Sequence, residues 1–258
     1  MSKTLRDEWS VSSPFKPQQP GFLCSLECEI EALKEACCHD TDFFQFKTDA
    51  SLRGCSGEWV SSYPLPRKEA VDSFKKLHNG LKFNGKDNPF SERTSLHVHV
   101  NCLDITPEQV RNIILLYALF EPFFFMMVAP NRRHNIHCVP LTETYFPKYY
   151  KNNLQVLHKN WHKYTALNAR RLSDLGTLEF RHLQGTSDPV LLDEWLHVIE
   201  NLWFLGQRIQ INEEVLKNMD TLYEWFDLLF FPSDRVRAVR SSMVNIFQNN
   251  LIDVKFAV

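Results

Sequence analysis

Leu26-Glu27-Cys28-Glu29-Ile30-Glu31 alternates apolar and acidic residues over six positions. Successive residues of a strand point to opposite faces, so Leu26, Cys28 and Ile30 can bury while Glu27, Glu29 and Glu31 share the other face. The pattern recurs in Gly57-Glu58-Trp59-Val60, in Leu96-His97-Val98-His99-Val100 and in Leu178-Glu179-Phe180-Arg181. Four such strands predict a sheet with one greasy face and one face carrying carboxylates, imidazoles and an Arg. Like charges crowded on one face cost stability unless a cation neutralises them. The economical reading is a metal-lined active site laid across a sheet.

Working outward, Phe43 to Lys47 reads as a second strand and Lys68 to Leu81 as a helix with Val71, Phe74, Leu77 and Leu81 at helical spacing. Thr106-Pro107-Glu108-Gln109 is a helix start, with Thr as N-cap, Pro at the first helical position and Gln at the third. Ile113 to Ala129 is mostly apolar but holds Glu121 and Pro122, and it falls short of the roughly 20 apolar residues of a membrane span. It is expected to be a buried helix running into a strand over Phe123 to Val128. Lys163 to Leu172 has the composition of a helix or helical turn. Asp188-Pro189 caps a long helix from Val190 to about Gln207, and the rest after Asn212 is helical in pattern, interrupted at Pro232. Residues 1–20 are expected to form a flexible lead-in, and 21–258 a single domain with a helical C-terminal part. Strands and helices mix without regular βαβ alternation. The predicted class is therefore α+β, a largely antiparallel sheet with helices on one face and an open, metal-lined face.

Composition narrows the function classes. The chain has 258 residues and a formal net charge of −2, so it shows no overall electrostatic footprint for nucleic acid or an anionic membrane. Seven Cys without any Cys-x-x-Cys spacing predict a reducing, cytoplasmic setting. With eight Gly there is neither a P-loop nor a dinucleotide fingerprint, so a nucleotide would be held through metals and Arg side chains.

The polar face suggests its own chemistry. Same-face neighbours on a strand stand about 7 Å apart, so Glu27 and Glu29 can each serve one of two cations or bridge them. Hard cations such as Mg²⁺ prefer carboxylate oxygens, and His97 would extend tolerance toward Mn²⁺. Arg181, two residues beyond Glu179, suits a phosphate oxygen pair or a carboxylate. Together these resemble a phosphoryl-transfer site. Blander readings stand beside each piece: an exposed amphipathic edge for the Glu strand, a surface ion pair for Glu179 and Arg181, a solvated loop pair for Arg132 and Arg133.

Several motifs then fall in a familiar order: Ser25-x-Glu27-x-Glu29, Lys47-x-Asp49-x-Ser51-Leu52, Gly57-Glu58-x-Val60-Ser61 and Leu96-His97-Val98-His99-Val100. After the Arg132-Arg133 segment come Lys163-Tyr164-x-Ala166-Leu167-Asn168 and Gly176-Thr177-Leu178-Glu179-Phe180-Arg181 with Gly185-Thr186. Over roughly Gly21 to Trp203 this succession resembles the amidoligase family, carboxylate–amine ligases of the glutamine synthetase and glutamate–cysteine ligase superfamily. The resemblance implies a glutamine-synthetase-like catalytic domain and an ATP- and Mg²⁺-dependent enzyme, with Mn²⁺ as a substitute. It would form an amide or peptide bond between a carboxylate and an amine, either small molecules or peptides, through an acyl phosphate. It also implies Glu27, Glu29, Glu58, His97 and Glu179 as metal ligands, and Arg181 on the transferring phosphate. Arg132 or Arg133 would neutralise the acyl phosphate or substrate carboxylate, and Asp49 would orient the amine. Lys163, Tyr164, Asn168 and His99 would line the nucleotide or substrate side. Families of this kind are frequently encoded by bacteriophages and by peptide-modifying gene clusters. Ser25 departs from the Gly that often precedes the first Glu-x-Glu. The expected partners are an acid and an amine, with no nucleic acid and no membrane, and the helical tail could pack at home or on a second copy. Two other readings stay open: a two-metal phosphohydrolase or nuclease, and an inactive binding or assembly module of the same fold.

Overall fold

Alternation places the strands close to their predicted positions. The computed structural model describes residues 3–9, 21–85, 88–144, 154 and 159–258. Its sheet contains β1 (Cys24–Ile30), β2 (Phe44–Lys47), β3 (Gly57–Ser61), β4 (Ser95–Asn101), β5 (Leu167–Asn168) and β6 (Thr177–Gln184), in the order β2-β3-β1-β4-β6-β5. Each of these pairings is antiparallel. The register sets Glu27 opposite His97 on one side and Glu29 opposite Glu58 on the other. His99 faces Glu179, which also faces Asn168. Hydrogen bonding between backbones thus gathers charges that lie far apart in the chain.

Among the described residues, helices α1 (Leu5–Trp9), α2 (Arg67–Gly80), α3 (Pro107–Met126), α4 (Pro189–Gly206), α5 (Met219–Phe230), α6 (Asp234–Arg237) and α7 (Met243–Ala257) accompany the sheet. The greasy sheet face joins the helices in one core: Leu26, Cys28, Ile30, Val98 and Phe180 bury with residues of α2, α3 and α4. The Phe180 ring lies 6.1 Å from Tyr117 and 6.5 Å from Phe124. Away from the sheet, Phe120 and Phe123 of α3 meet Phe226 and Phe230 of α5 and Phe247 of α7. Much of the unusual Phe content is spent on this cluster. Burying such rings is worth roughly 1.5–3 kcal/mol each.

The helix starts follow their sequence signals. Thr106 Oγ1 accepts from the Gln109 backbone N–H, and Gln109 Oε1 accepts from the Thr106 backbone N–H, a complete capping box. Asp188 caps α4 by accepting from Val190 and Leu191.

The strand expected over Phe123 to Val128 is instead the last part of α3, which runs through Pro122 to Met126. A proline inside a helix leaves the carbonyl four residues earlier without its donor. Here that carbonyl belongs to Ala118, and the buried Asn250 amide of α7 donates to it at 2.8 Å. The orphan is satisfied from a neighbouring helix, so the helix continues. Glu121 is likewise accommodated, accepting from Tyr117 Oη at 2.7 Å and from the backbone N–H groups of Leu141 and Thr142. With this length α3 could by composition cross a membrane, but 78% of its apolar window is buried within the fold, as a core helix should be.

Two further expectations change. Lys163 to Leu172 forms the short strand β5 and a 3-10 turn, Arg170–Leu172, because its backbone is recruited to the edge of β6. Within the first 20 residues, Leu5 is fully buried and its N–H bonds to the Ile105 carbonyl at 2.8 Å. Residues 10–20 of the expected lead-in lie outside the described residues.

Candidate active site

Glu27 stands at the centre of the polar face. Its Oε2 is 3.2 Å from His97 Nδ1, and its Oε1 is 3.1 Å from His99 Nε2. Glu179 comes within 3.5 Å of the same His97 nitrogen. Two groups of donors converge here, Glu27–Glu58–His97 and Glu27–His99–Glu179, each with its ligand atoms within 4.8 Å of one another. Glu27 belongs to both, as a carboxylate bridging two cations would.

The far nitrogens of the two imidazoles are fixed from behind. Ser95 Oγ donates its single proton to Glu29 Oε2 at 2.6 Å, so it accepts from His97 Nε2 at 2.8 Å. That leaves the lone pair of a neutral His97 on Nδ1, aimed at Glu27 and Glu179. A lone pair facing two carboxylates is repulsive unless a proton or a metal cation sits between them. His99 Nδ1 is tied to Thr177 Oγ1 at 3.1 Å, which turns Nε2 toward Glu27. Yet His99 Nε2, fully buried, makes no well-formed hydrogen bond. The donor set, N and O ligands around hard carboxylates, fits Mg²⁺ or Mn²⁺.

Glu29, expected as a ligand, falls outside both groups. Its Oε2 is taken by the Ser95 hydroxyl and by the Ser95 N–H at 2.7 Å, so it holds His97 in place through Ser95. Ser95 was missed by the sequence reading, though alternation from His97 puts it on the same face.

The face is far less open than its alternation suggests: Glu179 is 2% exposed and His99 3%. Burial raises the Glu179 pKa, but His99, His97 and Arg181 outweigh it and hold the carboxyl below its usual range. Burial also acts to raise Glu27, and the neighbouring His99 and His97 imidazoles, when protonated, carry it well below normal. His99 is depressed by burial but raised overall by the Glu27 carboxylate. Glu58 differs. Burial, then the Glu27 charge, pushes it up to about 7.

β6 carries an irregularity beside this cluster. Leu96 pairs with Leu183 but Val98 with Phe180, so β6 holds one residue more than β4 around Arg181 and His182. Such bulges re-aim side chains next to active sites. Arg181 pairs with Glu179 Oε1, and its Nε donates to the His137 carbonyl at 3.1 Å. Arg132, expected at the acyl phosphate, is 3% exposed and committed elsewhere. Its Nε donates to the His182 carbonyl at 2.9 Å and its Nη2 to the Arg181 carbonyl at 2.7 Å. It clamps the bulge that aims Arg181. Arg133 is exposed with its guanidinium 5.8 Å from the Phe125 ring centre. Asp49 accepts from the Ser51 N–H within its own turn and belongs to neither donor group.

Lys163, Tyr164 and Asn168, all expected on the nucleotide or substrate side, line a cleft of about 610 Å³ with Glu179 and Arg181. Asn168 Nδ2 donates to Glu179 Oε2 at 2.7 Å, and Lys163 Nζ lies 4.4 Å from the Tyr164 ring centre. Lys159, Arg170 and Arg171 line it too and were not foreseen. The adjacent pair Arg170-Arg171, just after Asn168, was the available signal. A cleft so rich in cations beside carboxylates suits a polyphosphate bridged by metal ions.

Comparison with known proteins agrees with the sequence resemblance. Residues 42–203 match the family described as "Putative amidoligase enzyme", and the chain belongs to that family. No curated protein matches it. Among solved structures it is similar to a bifunctional glutathione synthetase from Pasteurella multocida, with a TM-score of 0.47 and 10% identity, over 91% of this chain and 48% of that one. This chain thus spans about half the length of that protein.

Proposed function

We propose that this chain is an ATP-dependent carboxylate–amine ligase using two Mg²⁺ or Mn²⁺ ions, and that it works through an acyl phosphate. The observation that carries the reading is the sharing of Glu27 between two donor groups, one of which reaches the cation-lined cleft through Glu179. In the net reaction a carboxylate, an amine and ATP give an amide, ADP and phosphate. A carboxylate oxygen first takes the γ-phosphoryl group, and the amine then displaces phosphate at the acyl carbon. Glu27, Glu58 and His97 would hold one ion, and Glu27, His99 and Glu179 the other. Bound there, the ions would neutralise phosphate oxygens during transfer. Arg181, which pairs with Glu179 and donates to the His137 carbonyl, would bind the transferring group. Lys163, Arg170 and Arg171 offer charge to the remaining phosphates, and Tyr164 a ring face for the base.

The test is thermal stability with Mg²⁺ and ATP for the native chain, Glu179→Ala and Arg181→Ala, followed by ADP release with mixtures of acids and amines. A metal-dependent rise in Tm, lost in both variants, supports the reading. No rise in the native protein contradicts it.

A further inference from the structure

A second, larger cleft of about 910 Å³ opens at the other end of the polar face and has no role in the reaction as described. Its walls come from the β2–β3 loop, the turn before β4 and the 3-10 turn after α3. They carry Arg53, Arg93, His134 and His137, against one acidic side chain, Glu92. Arg53 and Arg93 form no ion pair with any carboxylate among the described residues, whereas Arg67 holds two, Asp193 and Glu200. Arg93 is nevertheless placed, its Nη1 donating to the Ser51 carbonyl at 3.0 Å.

The cleft is joined to the metal face at two points. The Arg53 backbone N–H donates at 2.8 Å to Glu31, which follows the last residue of β1. The His137 carbonyl accepts from Arg181 itself. Glu31 lies four residues beyond Glu27, or roughly 14 Å along an extended strand. The side chain of Arg53 can turn back over part of that distance. Anything spanning from the two cations to Arg53 and Arg93 therefore has its ends on the order of 10 Å apart.

We propose that this cleft selects an elongated acid substrate by binding a second carboxylate at its far end, with Arg53 and Arg93 as the recognising groups. Two guanidinium groups lining one cleft without a carboxylate partner among the described residues are suited to a carboxylate. That the near carboxylate is the one activated rests on the ligase reading; binding of the far one does not.

N-succinyl-oligoglycines test this directly, since their two carboxylates are separated by a spacer that lengthens by about 3.3–3.6 Å per glycine. N-acetyl-oligoglycines of equal length carry a single carboxylate. Calorimetric titration of the full chain with Mg²⁺ should show the two-carboxylate ligand with two or three glycines binding at least tenfold tighter than its acetyl control. Arg53→Gln and Arg93→Gln, both exposed positions, should erase most of that advantage while leaving Tm and the Mg²⁺·ATP response as in the native chain. Equal affinity for the two ligand series, or an advantage that survives the Arg53→Gln, Arg93→Gln double variant, overturns the proposal. If the chain ignores ATP yet still prefers the two-carboxylate ligand through these arginines, the ligase reading fails and the cleft assignment stands.

Discussion

The two faces of the one sheet are held by opposite means. On one, Leu26, Cys28, Val98 and Phe180 sink into a continuous carbon core with α2, α3 and α4. On the other, His97, His99 and Glu179 are nearly as buried and Glu27 half-buried, but there carboxylates and ring nitrogens face each other, and His99 Nε2 has no well-formed hydrogen bond among the described residues. Burying charge is expensive unless it is fully paired. The core face supplies stability, and the polar face draws on it to keep ligands in place for cations.

The comparison breaks most visibly in the core. Phe123→Ala, in the cluster with Phe226, Phe230 and Phe247, should cost about 3–5 kcal/mol in denaturant unfolding. Any native fraction should still answer to metal and nucleotide. Next in size is Arg132→Met, which removes donors from the two carbonyls of the β6 bulge. A loss of about 1.5–3 kcal/mol is expected. If Arg132 acts by positioning Arg181, ADP release should fall while Mg²⁺·ATP still raises Tm. Asn250→Ala, which unsatisfies the Ala118 carbonyl beneath Pro122, should cost about 1–3 kcal/mol with no effect on ligand response.

The smallest effect concerns pH and sharpens the contrast. Glu58 is raised to about 7 from an ordinary 4.5, chiefly by burial and then by Glu27. Such a group contributes stability in full below pH 4.5 and loses it as pH climbs through 7. A cation would displace that proton. The gain in Tm on adding Mg²⁺ should therefore be greater at about pH 8 than at about pH 5.5. A gain independent of pH would place the ions elsewhere.

How much of this was legible in the sequence depends on how local each signal is. Alternation revealed β1, β3, β4 and β6, and with them the faces of Glu27, His97 and Glu179, because a period of two needs no knowledge of the partner strand. The capping box at Thr106 was equally local. What escaped depended on distant partners. Pro122 and a run of Phe suggested a strand, and only Asn250, 132 positions beyond Ala118, lets the helix pass through. Arg132 resembles any solvated loop arginine until the bulge in β6, some 50 residues away, supplies two carbonyls. Glu29 and Glu27 look alike in sequence, and the Ser95 hydroxyl separates their roles.

In the proposed ligase Glu27 serves two cation sites at once. Mn²⁺ titration followed by electron paramagnetic resonance, on the native chain and on Glu27→Gln, tests it most directly. Two ions should bind per chain, one for each donor group, and the single substitution should weaken both. A native chain that binds no Mn²⁺, or a Glu27→Gln chain that binds it as the native does, would contradict it.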